Sequence, residues 1–188
     1  MVHAQNHAVG PEGIVDPIEQ ACIRARQLID AGASRLEILT CLASASEEVS
    51  GPQSTASILV LDEDGLLRNG ASPSLPSDYL DAIDRLKPDV NVGTCAAAAA
   101  TGNVVITGDF LADGKWAELR HLPLALGFVG AWSMPIRSNG TGRVLGTFGT
   151  YYRDLREPSP REMDAVARLA EVAASALERR AIQTAPAR

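Results

Sequence analysis

The sequence predicts an α+β fold built on an antiparallel sheet, and three observations carry the prediction. Apolar runs are joined by short turns at Asp64-Gly65 and around Asn139-Gly140-Thr141-Gly142, where glycine supplies the positive-φ conformation that a hairpin needs. The longest helical patterns lie toward the two ends of the chain, so the strands are not interleaved with crossover helices as a parallel doubly wound sheet requires. The chain has 188 residues, 46% of them hydrophobic and 21% charged, which fits one ordinary globular domain.

Asp16 followed by Pro17 places a capping residue before proline at the first helical position, and Ser34 with Glu37 forms a capping box. Two amphipathic helices follow, near 17–31 and 35–49. In the first, Ile18, Cys22, Ala25 and Ile29 recur at helical spacing; in the second, Leu36, Ile38, Leu39 and Leu42 supply the apolar face. After Gly51-Pro52 the texture changes to Ser57-Ile58-Leu59-Val60-Leu61, the turn at 62–65, and Leu66-Leu67-Arg68, a strand pair. The Pro-, Ser- and Asp-rich stretch 71–91 holds one short helix near 77–86. An alanine run, Ala96 to Ala100, ends at Thr101-Gly102 and reads as a tightly packed helix stopped by glycine. Residues 103–107 form a strand, and a polar connection with one or two helical turns runs to Gly127. Two strands, 128–137 and 143–152, make the closing hairpin. Ser159-Pro160-Arg161-Glu162 is a further capping box and opens a helix to about Arg180. The expected organisation is a tail over 1–15, one domain over 16–182 and a second tail over 183–188.

Seventeen basic against twenty-three acidic residues give a net charge of −6, and the sequence has no Lys/Arg run, so a general nucleic-acid binder is not expected. Three cysteines, Cys22, Cys41 and Cys95, without CxxC spacing speak against a disulfide framework or structural zinc and for a reducing, cytoplasmic setting. No apolar run reaches the ~18 residues that span a bilayer, and MVHAQNHAVGPEG lacks the features of a signal peptide, so no membrane partner is expected.

Familiar catalytic patterns are missing. Gly140-x-Gly142-x-x-x-Gly146 has the wrong spacing for a dinucleotide loop and joins two strands. Asp62, Asp64 and Gly65 lack the later ligands of a calcium loop. No GxSxG, GKS/GKT or HExxH motif occurs.

One run of motifs is specific. It comprises Gly93-Thr94-Cys95 with the alanine helix, Val104-Val105-Ile106 leading to Asp109, and Asp113-Gly114-Lys115-Trp116. It continues through Leu122 to Gly127, Ala131-Trp132-Ser133-Met134-Pro135-Ile136, and Gly142-Arg143-Val144-Leu145-Gly146-Thr147-Phe148. This stretch resembles a GAF domain, a small-molecule sensory module of the GAF/PAS type. It resembles the subgroup found in bacterial sensor histidine kinases and diguanylate cyclases. The resemblance covers about 17–182, weakly before Gly93. It implies helices packed on one face of the sheet and, over the other, a pocket covered by loops and short helices at 71–127. It also implies signalling through the terminal helices to a partner protein in trans or to an output domain beyond this sequence. Such domains bind varied ligands or none, and neither a cofactor nor a ligand can be named from the sequence.

Six residues are candidates for a ligand site: Thr94, Cys95, Asp109, Trp116, His121 and Trp132. Thr94 and Cys95 open the alanine helix, where free N–H groups attract an anion or lower a thiol pKa; the plainer alternative for Cys95 is a small residue that lets the helix pack closely. A similar Gly-x-Cys occurs in GAF-type free methionine sulfoxide reductases. Their chemistry needs further cysteines on the preceding strand or loop and before the Trp132 strand, and residues 52–94 and 96–188 have none. Asp109 either caps a turn or meets the ligand, and Trp116 is either a lid or a pin. His121, the only histidine outside the tail, binds the ligand or faces solvent. Trp132, Met134 and Ile136 alternate onto one face of their strand, which is either the pocket floor or the helix-packed side.

The leading expectation is a non-enzymatic domain that binds a small molecule, with a ligand-free dimerisation or docking module as the alternative and a Cys95 oxidoreductase behind both. In the last helix, Met163, Val166, Ala170, Ala173 and Leu177, widened by Leu169, Val172 and Ala176, form an apolar stripe; part of it must cover the domain's own sheet, but its small alanines let another helix approach, and together with the 17–31 helix it predicts a helical-bundle homodimer.

Overall fold

A computed structural model describes residues 16–183, so the two expected tails lie almost wholly outside the described residues. The elements are α1 (Pro17–Asp30), α2 (Arg35–Ser50), β1 (Ser54–Leu61), β2 (Leu67–Ala71), α3 (Ser77–Ala82), α4 (Thr94–Thr101), β3 (Val105–Thr107), a 3₁₀ turn at Gly114–Trp116, α5 (His121–Ala125), β4 (Gly130–Arg137), β5 (Val144–Tyr152) and α6 (Pro160–Gln183).

All three expected caps form. The Asp16 side chain accepts from the Ile18 N–H; Ser34 and Glu37 exchange bonds at the start of α2, and Ser159 and Glu162 do so at α6. The short helix α3 stops before the expected residue 86. Arg85 turns to φ +63° and its N–H donates to the Leu67 carbonyl, while Leu86 accepts from the Leu67 N–H. The open edge of β2 thus captures residues that would otherwise have prolonged the helix.

The five strands form one antiparallel sheet in the order β2-β1-β5-β4-β3, so the last strand lies at the centre. Residues directly opposite one another share a face. Ser57, Gly149 and Ser133 form one such row and Thr55, Tyr151 and Ala131 another, while Ile58, Phe148 and Met134 lie in a row on the other face.

That other face is covered by α1, α2 and α6, whose buried side chains, including Leu39, Leu42, Val166 and Leu169, pack with Trp132, Phe148 and Tyr152 in one apolar layer. Leu36, in the first turn of α2, is exposed instead. The stripe expected to meet a second copy is spent inside the chain: Val166, Leu169, Ala170, Val172, Ala173 and Ala176 are all buried, because α6 lies against β4, α1 and α2. Arg168 ties α6 to α1 through Asp16 at 2.6 Å and through Glu19.

Candidate functional site

The opposite face carries α3, α4, α5 and the 3₁₀ turn, which enclose a second apolar cluster with Leu59, Ala131 and Tyr151 of the sheet. Its position follows from two close approaches. Ala96, Ala97 and Ala98 are at most 2% exposed, so α4 lies almost on the sheet. Beneath it, Gly149 has no side chain, and a Cβ there would stand 3.0 Å from Cys95 Sγ. Cys95 Sγ lies 3.1 Å from Ser133 Oγ, which donates to Thr94 Oγ1 at 2.9 Å, so the start of α4 is moored to β4.

Gly93, at φ +53°, turns the chain into α4 and donates its N–H to the Lys115 carbonyl at 2.8 Å. This brings the 3₁₀ turn over the end of α4. Asp113 holds that turn, accepting from Thr107 Oγ1 at 2.7 Å and from the Lys115 N–H at 3.0 Å. The Trp116 ring then packs on Phe110, with centroids 4.2 Å apart, and edge-on to Tyr151.

Between these groups lies a narrow cavity lined by Leu59, Tyr79, Thr94, Cys95, Trp116 and Tyr151, with Leu119 and Leu122 along its cover. The cavity volume is about 20 Å³, which is room for about one water. Tyr79 Oη donates to Tyr151 Oη at 2.9 Å. Burial pushes both phenols up in pKa, so they stay neutral. The buried Nε1–H of Trp116 finds no acceptor.

Three of the six sequence candidates, Thr94, Cys95 and Trp116, meet at this cavity, and three do not. Trp132 lies on the helix-packed face, where its Nε1–H donates to Tyr152 Oη at 2.9 Å. Asp109 Oδ1 accepts from the Leu111 N–H at 2.8 Å and caps a turn, and His121 is exposed at the start of α5. Two residues outside those six candidates, Tyr79 and Tyr151, bring phenol hydroxyls to the cavity lining beside the hydroxyl of Thr94. Alternation along β5 from Gly149 was the available signal for Tyr151; nothing local marks Tyr79.

The start of α4 does not activate Cys95. Burial pushes its thiol up, outweighing the hydrogen bonds from Ser133 and Thr94 that lower it. Cys22 and Cys41 belong to the layer on the other side of the sheet. Among the described residues no group of three His, Cys, Asp or Glu side chains is placed to hold a metal, and no helix is long and apolar enough to cross a membrane.

An antiparallel sheet with terminal helices on one face and a covered cavity on the other defines an α+β domain of two layers of helices about one sheet. The chain belongs to the GAF domain family, whose sequence profile matches residues 33–178. It is 36% identical over 156 residues to the methyl sulfide methyltransferase-associated sensor of Methanosarcina acetivorans, an alignment covering 82% of this chain and 15% of that protein. The chain therefore spans only a small part of the length of that relative. Among solved structures, a domain of a two-component sensor histidine kinase protein from Sinorhizobium meliloti superposes with a TM-score of 0.64 at 21% identity, over 79% of this chain and 96% of that one. A type II free methionine-R-sulfoxide reductase from Thermoplasma acidophilum superposes at 0.61 and 16% identity, over 87% and 99%. Sensors and a reductase thus share the fold, and fold alone does not choose between them.

Proposed function

We propose that this chain is a non-enzymatic, cytoplasmic GAF sensory domain that takes a small molecule into the cavity between β5 and the α3–α5 cover. Occupancy shifts its terminal helices, which act on a signalling partner in trans or on a neighbouring output domain. The observation that carries this reading is the wiring of β5. Tyr151 lines the cavity, and the next residue, Tyr152, is hydrogen-bonded to Glu162 in the first turn of α6. The separation of the three cysteines onto two faces supports a domain without thiol chemistry, and the name of the Methanosarcina relative supports sensing.

The test is a thermal-stability screen of the purified protein against nucleotides, small anions and neutral metabolites. Saturable stabilisation is expected, about 2.7 kcal/mol at a hundredfold excess over Kd. A blank screen overturns the reading.

The small size of the cavity favours a second reading, a docking or dimerisation module without a ligand. Because the inner stripe of α6 is buried, such a dimer would use outer positions such as Ile23 on α1 and Leu36 on α2, which are 43% and 59% exposed. A blank screen together with a dimer in solution that Leu36→Glu dissociates would establish it.

A further inference from the structure

Resting on the sensory reading, we infer that the cavity selects a small uncharged molecule with an apolar body and one strong hydrogen-bond acceptor.

The lining decides against charge. No charged residue lines the cavity among the described residues; the lining residues that carry polar side-chain atoms are Thr94, Tyr79, Tyr151, Cys95 and Trp116. A phosphate, carboxylate or ammonium placed among Leu59, Leu119 and Leu122 would lose its hydration with no opposite charge to replace it. The burial-raised phenols hold their protons and provide no anionic partner for a cation.

Unspent donors decide for an acceptor. Trp116 is 4% exposed, and its Nε1–H has no partner. The hydroxyls of Tyr79 and Tyr151 share one hydrogen bond, Tyr79 donating to Tyr151, which uses one of their two protons and leaves the Tyr151 O–H free to donate. Cys95 is already engaged with Ser133, whereas Thr94 Oγ1 accepts from Ser133 and keeps its own O–H to donate. Buried donors without acceptors are costly, and a carbonyl, ether or sulfoxide oxygen would relieve them. The size limit follows from the volume: a guest larger than water must displace the Leu119 and Leu122 cover, so molecules of a few heavy atoms enter first.

The two tryptophans of the chain make the test direct. Each gives one indole N–H signal in a ¹⁵N-labelled sample. Trp132 is already bonded to Tyr152 and serves as the internal control, and the variant Trp116→Phe assigns the two signals. The probes are cyclopentanone, its acceptor-free isostere methylenecyclopentane, cyclopentanecarboxylate and cyclopentylammonium.

Cyclopentanone is expected to move the Trp116 signal saturably and leave that of Trp132 in place. It should bind about tenfold more tightly than methylenecyclopentane, a margin that one or two hydrogen bonds supply. In Trp116→Phe, followed by thermal stability, that preference should shrink while methylenecyclopentane binding is kept. Equal binding of the ketone and the hydrocarbon, or a Trp116 response to a charged probe, overturns the ligand class and leaves the sensory reading standing. If no probe moves the Trp116 signal, the class falls, and the sensory reading falls with it only if the broader screen is also blank.

Discussion

Tyr151 and Tyr152, consecutive on β5, send their hydroxyls to opposite faces of the sheet. On the cavity side Tyr151 Oη accepts from Tyr79 Oη at 2.9 Å; on the helix side Tyr152 Oη accepts from Trp132 Nε1 at 2.9 Å and donates to Glu162 Oε1 at 3.1 Å. Glu162 also caps α6 and pairs with Arg156, whose guanidinium lies 3.7 Å from the Tyr152 ring centroid and donates to the Ser50 carbonyl at the end of α2. β5 is thus tied on its helix side to two helix ends, the start of α6 and the end of α2.

The first prediction concerns that junction. Tyr152→Phe leaves the Trp132 indole N–H buried without an acceptor and should lower stability by about 1–3 kcal/mol in urea unfolding. Adding Trp132→Phe removes the orphaned donor, so the double variant should lose less than the sum of the singles. Strict additivity would show that the bond contributes nothing.

Glu162 sets a pH window. Burial raises its carboxyl, but the backbone and hydroxyl bonds from Ser159 and the charge of Arg156 outweigh this and hold it below the ordinary glutamate value. A carboxyl depressed in the folded state contributes stability above its unfolded value of about 4.3, and that contribution is lost as pH falls through the lower folded value. In chemical denaturation at a series of pH values, Glu162→Gln should decline less steeply below about pH 4.3 than the natural chain. Parallel curves would remove Glu162 from the account.

Close packing of α4 gives the third. Gly149→Ala sets a methyl 3.0 Å from Cys95 Sγ and should cost about 1–3 kcal/mol by lifting the helix off the sheet. Introduced into Cys95→Ala, which removes the sulfur, the same substitution should cost much less. An unchanged cost would place the strain elsewhere.

Thiol accessibility gives the fourth. Cys95 is buried and Cys41 only partly so, and burial raises the pKa of each. With a disulfide reagent at about pH 8, Cys41 should react in the native protein, while Cys95 should react only after denaturant is added. Fast native labelling of Cys95, mapped by mass spectrometry, would reopen the case for thiol chemistry.

Much of the fold was legible because its signals are local. Asp16, Ser34 and Ser159 mark the helix starts through contacts two or three residues away, and alternation correctly placed Trp132, Met134 and Ile136 on one face. Which face was not legible, since that depends on where α6 packs, and Trp132 lies far from it in sequence. The cavity was half legible. Thr94, Cys95 and Trp116 sit in a recognisable motif, whereas the Tyr79–Tyr151 bond joins positions 72 residues apart. The stripe of α6 shows a different limit: apolar spacing announces that a helix buries a face and leaves open whether its own sheet or a second chain covers it.

The central place of β5 has a bearing on how the molecule is made. Both of its neighbours, β1 and β4, are synthesised before it, so each emerges from the ribosome with one edge unpaired. Nothing joins β1-β2 to β3-β4 until residues 144–152 are in place, because β5 is the strand that pairs with both, and a strand edge left open is of the kind that aggregates. Closure of the sheet, burial of both apolar layers and docking of α6 then depend on one late, long-range insertion. The domain should thus gain its resistance to proteolysis in a single step once that strand has been translated.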